Sequence, residues 1–313
     1  MNAENIVNTD LNLSTSHQSG RATEKLLDID VAEFRSKFNR LPFSVRHNLV
    51  GHPLFSLQSL IELTRRLPAR YTRYNSGEVA VGDGLYQGKQ TGLSMEETIR
   101  QIEECGSWMT IRFAHEDPAY GRLMNQLLDQ IRPLSEELAP GMVMREAFIF
   151  VSSPNTITPY HMDPEYNFLL HMRGKKTMHV FDKRDPGILT ELNFEEYLSG
   201  VCTEIKFKPE YQAKAMSFDL HPGCGVHVPL TMPHWVQNGP EVSISFSITF
   251  RTPHSERQRM IHSANAFLRR NGVIPTCIGK SAMRDMLKYQ AYRTISSAKL
   301  VFSGKQAKEK YKY

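Results

Sequence analysis

Three H-x-[DE] pairs occur in the sequence, and each offers an imidazole and a carboxylate for metal binding or acid–base chemistry. They are His115/Asp117, His161/Asp163 and His254/Glu256. With 12 histidines and 33 acidic residues in 313 positions, about one such pair is expected by chance. The surrounding sequence must therefore decide which of the three could do chemistry.

Two of the pairs have the sequence of a helix N-terminus. Asp117 precedes Pro118 and an apolar 3.6-residue rhythm, which is typical of an acidic N-cap with proline at the first helical position. In the last pair, Ser255 is the expected N-cap, and Glu256 is a first-turn acid near the positive end of the helix dipole. Both pairs are predicted to be structural.

The pair His161/Asp163 lies in a segment with strand character. The stretches "TITPYHMD" and "NFLLHM" alternate or run apolar with β-branched and aromatic residues, and Pro159 argues against a helix. A histidine and a carboxylate on one strand need a third donor to form a facial metal site with open positions. Non-haem Fe(II) oxygenases have this arrangement.

The segment "GVHVPLTMPHWVQNG" offers two histidines as the third donor. A strand ends near Pro229, a tight turn follows, and His234 enters the next strand, which is similar to double-stranded β-helix (cupin) proteins whose distal histidine follows the turn. We expect His234 to be the third donor. Because most histidines are not ligands, His227 is predicted to be structural or to lie at a pocket edge.

The elements around these residues form a clear pattern. From Val143, seven or eight short strands follow one another, with helical patterns on both sides, which predicts a β-sandwich or barrel with helices packed outside. The predicted segments are a disordered tail (1–25), a helical N-terminal region that packs on the barrel (26–140), the β core (141–252), and C-terminal helices with a basic tail (253–313). Loops at 70–93 and 183–212 are expected to border the barrel mouth.

Composition narrows the function classes. The 40% apolar content allows a large core, and a net charge of +5 gives little support to nucleic-acid binding. The four cysteines form no C-x-x-C motif, and the N-terminus has neither a basic start nor an apolar run. We therefore expect a reduced, cytoplasmic protein, without a stretch that could span a membrane.

The stretches "TPYHMDPEYNFLLHMRGKK" and "VPLTMPHWVQNGPEVSISFSITF" resemble the JmjC and cupin-like 2-oxoglutarate dioxygenases. The resemblance is greatest to the branch that includes the asparaginyl hydroxylase acting on hypoxia-inducible factor, and it covers residues 140 to 252. It implies a double-stranded β-helix of the cupin or jelly-roll type, Fe(II), 2-oxoglutarate as cosubstrate, O2, and hydroxylation of an amino-acid side chain within a peptide or protein. The residues carried over are His161, Asp163 and His234 as iron ligands, Thr158 and Lys176 on the distal carboxylate of 2-oxoglutarate, and Asn167 beside the cosubstrate.

The cation for the distal carboxylate has two candidates. "EVSISFSITFR" alternates, so the hydroxyl side chains and Arg251 share one face, and Arg251 would be placed to bind a carboxylate if that face looks into the barrel. We favour Lys176, because its position after the "RG" turn fits the resembled branch. For either residue, the alternative is a solvated cation at a strand end. Thr249 stands where that branch has an asparagine, which puts that contact in doubt.

Other functions share parts of this pattern. A non-oxidative cupin would keep the strands but would not need Lys176 or Thr158, and a zinc hydrolase would use the same donors. A JmjC-like demethylase or RNA-modifying oxygenase would favour a reader domain or a strong basic stripe, and neither is visible. A small-molecule substrate stays open. The amphipathic C-terminal helices either cover the barrel or form a homodimer.

Overall fold

The computed structural model describes residues 24–85, 88–89, 91–202 and 204–303. The predicted disordered and basic tails lie almost wholly outside these residues, and the four-segment division stays a prediction. No helix in the described part of the chain is long and apolar enough to cross a bilayer. The strands are β1 (Leu27–Asp28), β2 (Phe43–His47), β3 (Thr72–Ser76), β4 (Ser107–Ile111), β5 (Val143–Ser152), β6 (Ile157–His161), β7 (Tyr166–Arg173), β8 (Lys176–Val180), β9 (Met216–Leu220), β10 (Cys224–Val228), β11 (His234–Asn238) and β12 (Ser243–Arg251). The α-helices are α1 (Val31–Lys37), α2 (Leu57–Arg66), α3 (Met95–Arg100), α4 (Pro118–Glu136), α5 (Glu191–Leu198), α6 (Pro253–Arg270) and α7 (Ala282–Ser303).

The strands form two antiparallel sheets. The large sheet has the order β1-β2-β10-β7-β12-β5-β4-β3, and the small sheet has the order β6-β11-β8-β9. One apolar cluster joins Leu169 and Val226 of the large sheet to Met178 and Val236 of the small sheet, so the two sheets face each other. This confirms the predicted mostly β core of the cupin or jelly-roll type, a double-stranded β-helix with flanking helices.

The N-terminal region contains four strands that the sequence pattern did not predict. In β2, Phe43, Val45 and His47 are buried, whereas Ser44 and Arg46 are exposed, which is a period-2 pattern confined to five residues. The helical spacing of the longer flanking stretch hid this short alternation. β1 and β2 extend one edge of the large sheet, and β3 and β4 extend the other.

Helix starts were predicted with one error. Asp117 caps α4 by accepting from the backbone N–H of Ala119 at 3.0 Å, and Ser94 and Glu97 form the expected capping box of α3. The predicted cap of α6, Ser255, is wrong, because the cap is Thr252 and Ser255 is its capping-box partner. Pro at the first helical position of α6 requires the cap to be the residue before it. That proline is residue 253.

Strand β12 separates two environments. Ile244, Phe246, Ile248 and Phe250 belong to the core between the large sheet and the helices. The hydroxyl side chains alternate with them and face the small sheet, where Ser247 lines the cavity described below. The predicted hydroxyl face therefore looks into the barrel.

A close approach of three strands depends on Gly225 in β10. A Cβ atom at this position would lie 2.7 Å from the backbone oxygen of Leu169 in β7 and 2.8 Å from Cγ2 of Val45 in β2. Both distances are shorter than side chains tolerate, so only glycine lets β10 lie between these two strands.

We predict that Gly225→Ala lowers the free energy of unfolding by about 1–3 kcal/mol, the usual cost of overpacking a core. Gly82→Ala is the matched control, because its added Cβ would meet only Cβ of Phe207, at 3.9 Å. Urea unfolding of both variants measures the difference. Equal stability of the two variants would contradict this account of β10.

Candidate metal centre

Two histidines face each other across the small sheet. His161 at the end of β6 is the antiparallel partner of His234 at the start of β11, and their ring centroids are 4.2 Å apart. Asp163 follows β6, and its Oδ2 atom lies 3.6 Å from Nε2 of His234. One donor atom from each residue lies within 4.8 Å of the others. Within the described ranges, this is the one such His/Cys/Asp/Glu group.

Both imidazoles are held in the same way. Nδ1 of His161 lies 2.7 Å from the carbonyl oxygen of Pro159, and Nδ1 of His234 lies 2.9 Å from that of Met232. A carbonyl oxygen only accepts, so each Nδ1 carries the proton and donates it. Nε2 of each ring then keeps its lone pair, which is the tautomer that a metal ion needs. Burial, reinforced by the neighbouring His161, lowers the pKa of His234 to about 4, so this ring is neutral at pH 7.

A chain of hydrogen bonds orients the carboxylate. Ser247 Oγ donates to Oδ1 of Asn167 at 2.7 Å, and Nδ2 of Asn167 lies 3.4 Å from Oδ2 of Asp163. The backbone N–H of Thr231, in the turn before β11, donates to the carbonyl of Asp163 at 2.8 Å. The carboxylate is thus positioned from β7, β12 and the turn.

His227 does not join the three donors. Its Nδ1 donates to the carbonyl oxygen of Asn167 at 3.0 Å, and its ring lies against Phe38, Phe43 and Phe168 with centroid distances of 4.5 to 5.0 Å. Burial lowers its pKa to about 3. His227 is therefore part of a neutral aromatic wall behind the strand that carries Asn167.

Lys176 is buried at the start of β8, with 6% of its surface exposed. Burial lowers its pKa to about 7, and no carboxylate among the described residues pairs with it. The alternative of a solvated strand-end cation is therefore wrong for this lysine. Thr158, three residues before His161, is also buried.

Arg251 is buried as well, with 4% of its surface exposed, so a solvated strand-end position is wrong here too. Its guanidinium donates to Glu165 and, at 2.9 Å, to Glu256 of α6. The strand pattern placed this side chain on the hydroxyl face of β12. Glu256 lies only 5 residues further along the chain, but Glu165 comes from a segment 86 residues away. Removing one member of such a buried network destabilises the fold.

A cavity of about 870 Å³ is lined by two of the three donors, His161 and Asp163. Leu85 and residues 197–200 line it, so the described parts of both predicted mouth loops do border the barrel. The second loop is less irregular than expected, because it contains α5. The hydroxyl of Tyr197, in this helix, donates to the backbone carbonyl of Met162, the residue between His161 and Asp163. Residues of α6 and α7, including Met260 and Tyr292, also line the cavity.

Sequence reasoning gave no role to several polar residues of this cavity. Ser247 was placed on the hydroxyl face of β12 without a role, and Glu146 and Glu165 were not singled out. The alternation of β5 would have placed Glu146 on the face of Phe148 and Phe150. No local signal indicates that β5, β7 and β12 are neighbours in the sheet. The sequence therefore does not show that their polar residues line one cavity.

Fold and site together place the chain among proteins with a cupin-type double-stranded β-helix and a candidate centre of two histidines and one carboxylate. No protein-family model matches the sequence, and no curated protein is similar to it. The X-ray structure of YcfD from E. coli is similar in fold, with 15% sequence identity and a TM-score of 0.52, over 86% of this chain and 68% of YcfD. A complex of YcfD, a ribosomal oxygenase from Escherichia coli, with cobalt and 2-oxoglutarate matches with 14% identity and a TM-score of 0.50, over 87% of this chain and 67% of that chain. At such identities the likeness establishes the shared fold.

We predict that Ser247→Ala weakens Co(II) binding about 10- to 100-fold, because Asn167 loses the donor that fixes its amide beside Asp163. Ser243→Ala is the matched control, since Ser243 is buried on the same face of β12 and its hydroxyl has no described partner. Isothermal titration of both variants with Co(II) tests this. Equal affinities would remove Ser247 from the support of the centre.

Proposed function

We propose that the protein is an Fe(II)- and 2-oxoglutarate-dependent oxygenase that hydroxylates an amino-acid side chain within a peptide or protein. The observation that supports it best is a three-donor face in the same barrel as a buried lysine without a described carboxylate partner. A dicarboxylic keto acid needs both features, because one end chelates the metal and the other is an anion taken out of water. A simple metal-binding barrel needs only the first.

The donor set fits Fe(II). His161 and His234 would bind through Nε2, and Asp163 through a carboxylate oxygen, on one face of the ion. With Fe(II) in place, 2-oxoglutarate supplies the electrons for oxygen chemistry through its oxidative decarboxylation to succinate and CO2. The protein holds both imidazoles in the ligand tautomer and turns the carboxylate toward them.

Lys176 and Thr158 would hold the distal carboxylate of 2-oxoglutarate. The ammonium group offsets the cost of burying that carboxylate, and the hydroxyl donates a hydrogen bond. Asn167, hydrogen-bonded between Ser247 and Asp163, would lie beside the metal-bound end. Because Arg251 already pairs with two carboxylates, it is the weaker candidate for the anchor.

The substrate class rests on two separate supports. The motifs around Asp163 and Lys176 resemble the asparaginyl-hydroxylase branch, and the similarly folded YcfD is a ribosomal oxygenase. Both favour a peptide or protein partner. Anaerobic loading with Fe(II) and 2-oxoglutarate should give a weak visible charge-transfer band, and a peptide library should then yield products heavier by one oxygen. A zinc hydrolase or a non-oxidative cupin would give neither.

We predict that His161→Ala, Asp163→Ala and His234→Ala each abolish 2-oxoglutarate turnover and weaken Co(II) binding, because each removes one of three donors. His254→Ala is the control, since His254 is exposed at the start of α6. Succinate production and metal titration are measured in parallel. Full activity in His234→Ala, together with loss of activity in His227→Ala, would show that His227 and not His234 is the third ligand.

We predict that Lys176→Ala weakens 2-oxoglutarate binding a few hundredfold or more, about 3–5 kcal/mol, because a buried carboxylate loses its counter-charge. Metal binding should survive. Lys175→Ala is the control, as the adjacent lysine is exposed. If a folded Arg251→Ala variant instead shows the large loss of 2-oxoglutarate affinity, Lys176 does not bind the distal carboxylate. The likeness to the asparaginyl-hydroxylase branch would then be wrong as well.

The same lysine predicts a pH dependence. Its pKa is about 7 in the absence of the cosubstrate, and a bound carboxylate favours the charged form, so binding takes up a proton above that pH. The affinity for 2-oxoglutarate should be constant below pH 7 and fall by up to about tenfold per pH unit above it. Titrations of the Co(II)-loaded protein from about pH 6 to pH 9 measure this. A flat profile would contradict the assignment.

We also propose a homodimer through the C-terminal helices. Met283 and Leu287 of α7 are 72% and 63% exposed, and Ile274 before it is 88% exposed. Replacing Met283 and Leu287 with aspartate should halve the particle mass in sedimentation, because charged side chains oppose burial of this face. An unchanged mass would exclude this face.

A further inference from the structure

Glu146 lies in the same cavity as the candidate metal centre, in a direct row across three strands. Glu146 of β5 is the register partner of Thr249 of β12, and Thr249 is the register partner of Asn167 of β7. Since neighbouring strands are spaced by almost 5 Å, Glu146 lies about 10 Å from Asn167, which contacts Asp163. All four residues line the cavity.

The carboxylate of Glu146 has no hydrogen-bond donor among the described residues, although it is partly removed from water. Three charged groups act on it, namely Glu165, Arg251 of β12 and Arg112 after β4. Arg251 is already paired, since it donates to Glu165 and to Glu256. The pKa of Glu146 is raised to about 7, because burial and the neighbouring Glu165 raise it by more than Arg251 and Arg112 lower it. A carboxylate in this setting favours a ligand that brings its own N–H donors and a positive charge.

The wall beside Glu146 is apolar and aromatic. Phe148 and Phe150 follow on the same face of β5 and line the cavity beyond it. Their rings can pack against the methylene groups of a long side chain, and an aromatic face also attracts a cation. An apolar wall with a carboxylate at its end matches the shape and charge of an arginine or lysine side chain.

We propose that Glu146 is a specificity-determining residue, which binds a guanidinium or ammonium group of the substrate while another part of the substrate lies at the metal centre. This deepens the proposed function and rests on it. Two strand spacings place Glu146 about 10 Å from Asn167, so the cation binds on the far side of Asn167 from the three donors. It belongs either to the side chain that reacts or to a neighbouring residue of the same peptide.

The test uses a pair of peptides that differ only in charge. One carries a central arginine, and the other carries citrulline, its neutral and nearly isosteric analogue. Binding to the full chain loaded with Co(II) and 2-oxoglutarate is measured by isothermal titration. The unaltered protein should bind the arginine peptide roughly tenfold or more tightly than the citrulline peptide, and Glu146→Gln should remove this preference. Glu146→Asp should retain part of it, and Glu116→Gln, at an exposed site, should retain all of it.

Equal affinity of the unaltered protein for the two peptides would overturn the proposal, as would a preference that survives Glu146→Gln. The same titrations on metal-free protein separate this result from the proposed function. A charge preference that depends on Glu146, in a chain that binds neither Co(II) nor 2-oxoglutarate, would keep the cation site and exclude the oxygenase. Co(II) and 2-oxoglutarate binding without the charge preference would keep the oxygenase and exclude the cation site.

Discussion

The antiparallel pairing of β6 with β11 is the constraint on which the site depends. It brings His161 and His234, 73 positions apart in the sequence, into direct register, and the two carbonyl contacts then fix both rings in one tautomer. Asp163 adds its carboxylate because the chain leaves β6 at this point. A slip of one residue would turn one histidine to the opposite face of the small sheet and separate the donors.

The large sheet supports this pairing from behind. The aromatic wall around His227 fixes the backbone of β7 at Asn167, and Gly225 lets β10 approach β7 closely enough for that contact. The hydroxyl face of β12 supplies Ser247, which orients the amide of Asn167. The carboxylate of Asp163 is therefore positioned by residues of strands that do not themselves offer a metal ligand.

The sequence predicts the parts of the molecule whose signal is local. The strand rhythm after Val143, the alternation of β12 and the caps at Asp117 and Ser94 can be read from neighbouring residues, and the structure confirms them. Lys176 and Arg251 were singled out, but their burial could not be read, because it depends on strands far away in the sequence. The short strand β2 was missed because five alternating residues lie among longer helical spacings.

The place of β12 in the large sheet has a consequence for the order in which the chain can assemble. β12 is the last strand in sequence, yet it lies between β5 and β7 in the middle of the sheet. During synthesis, each of those strands keeps an unpaired edge until β12 has been made, because β5 ends at Ser152 and β7 at Arg173, whereas β12 ends at Arg251. A nascent chain that does not yet include β12 exposes the unpaired edges of the apolar strands β5 and β7. We therefore expect this protein to depend on protection from aggregation during translation.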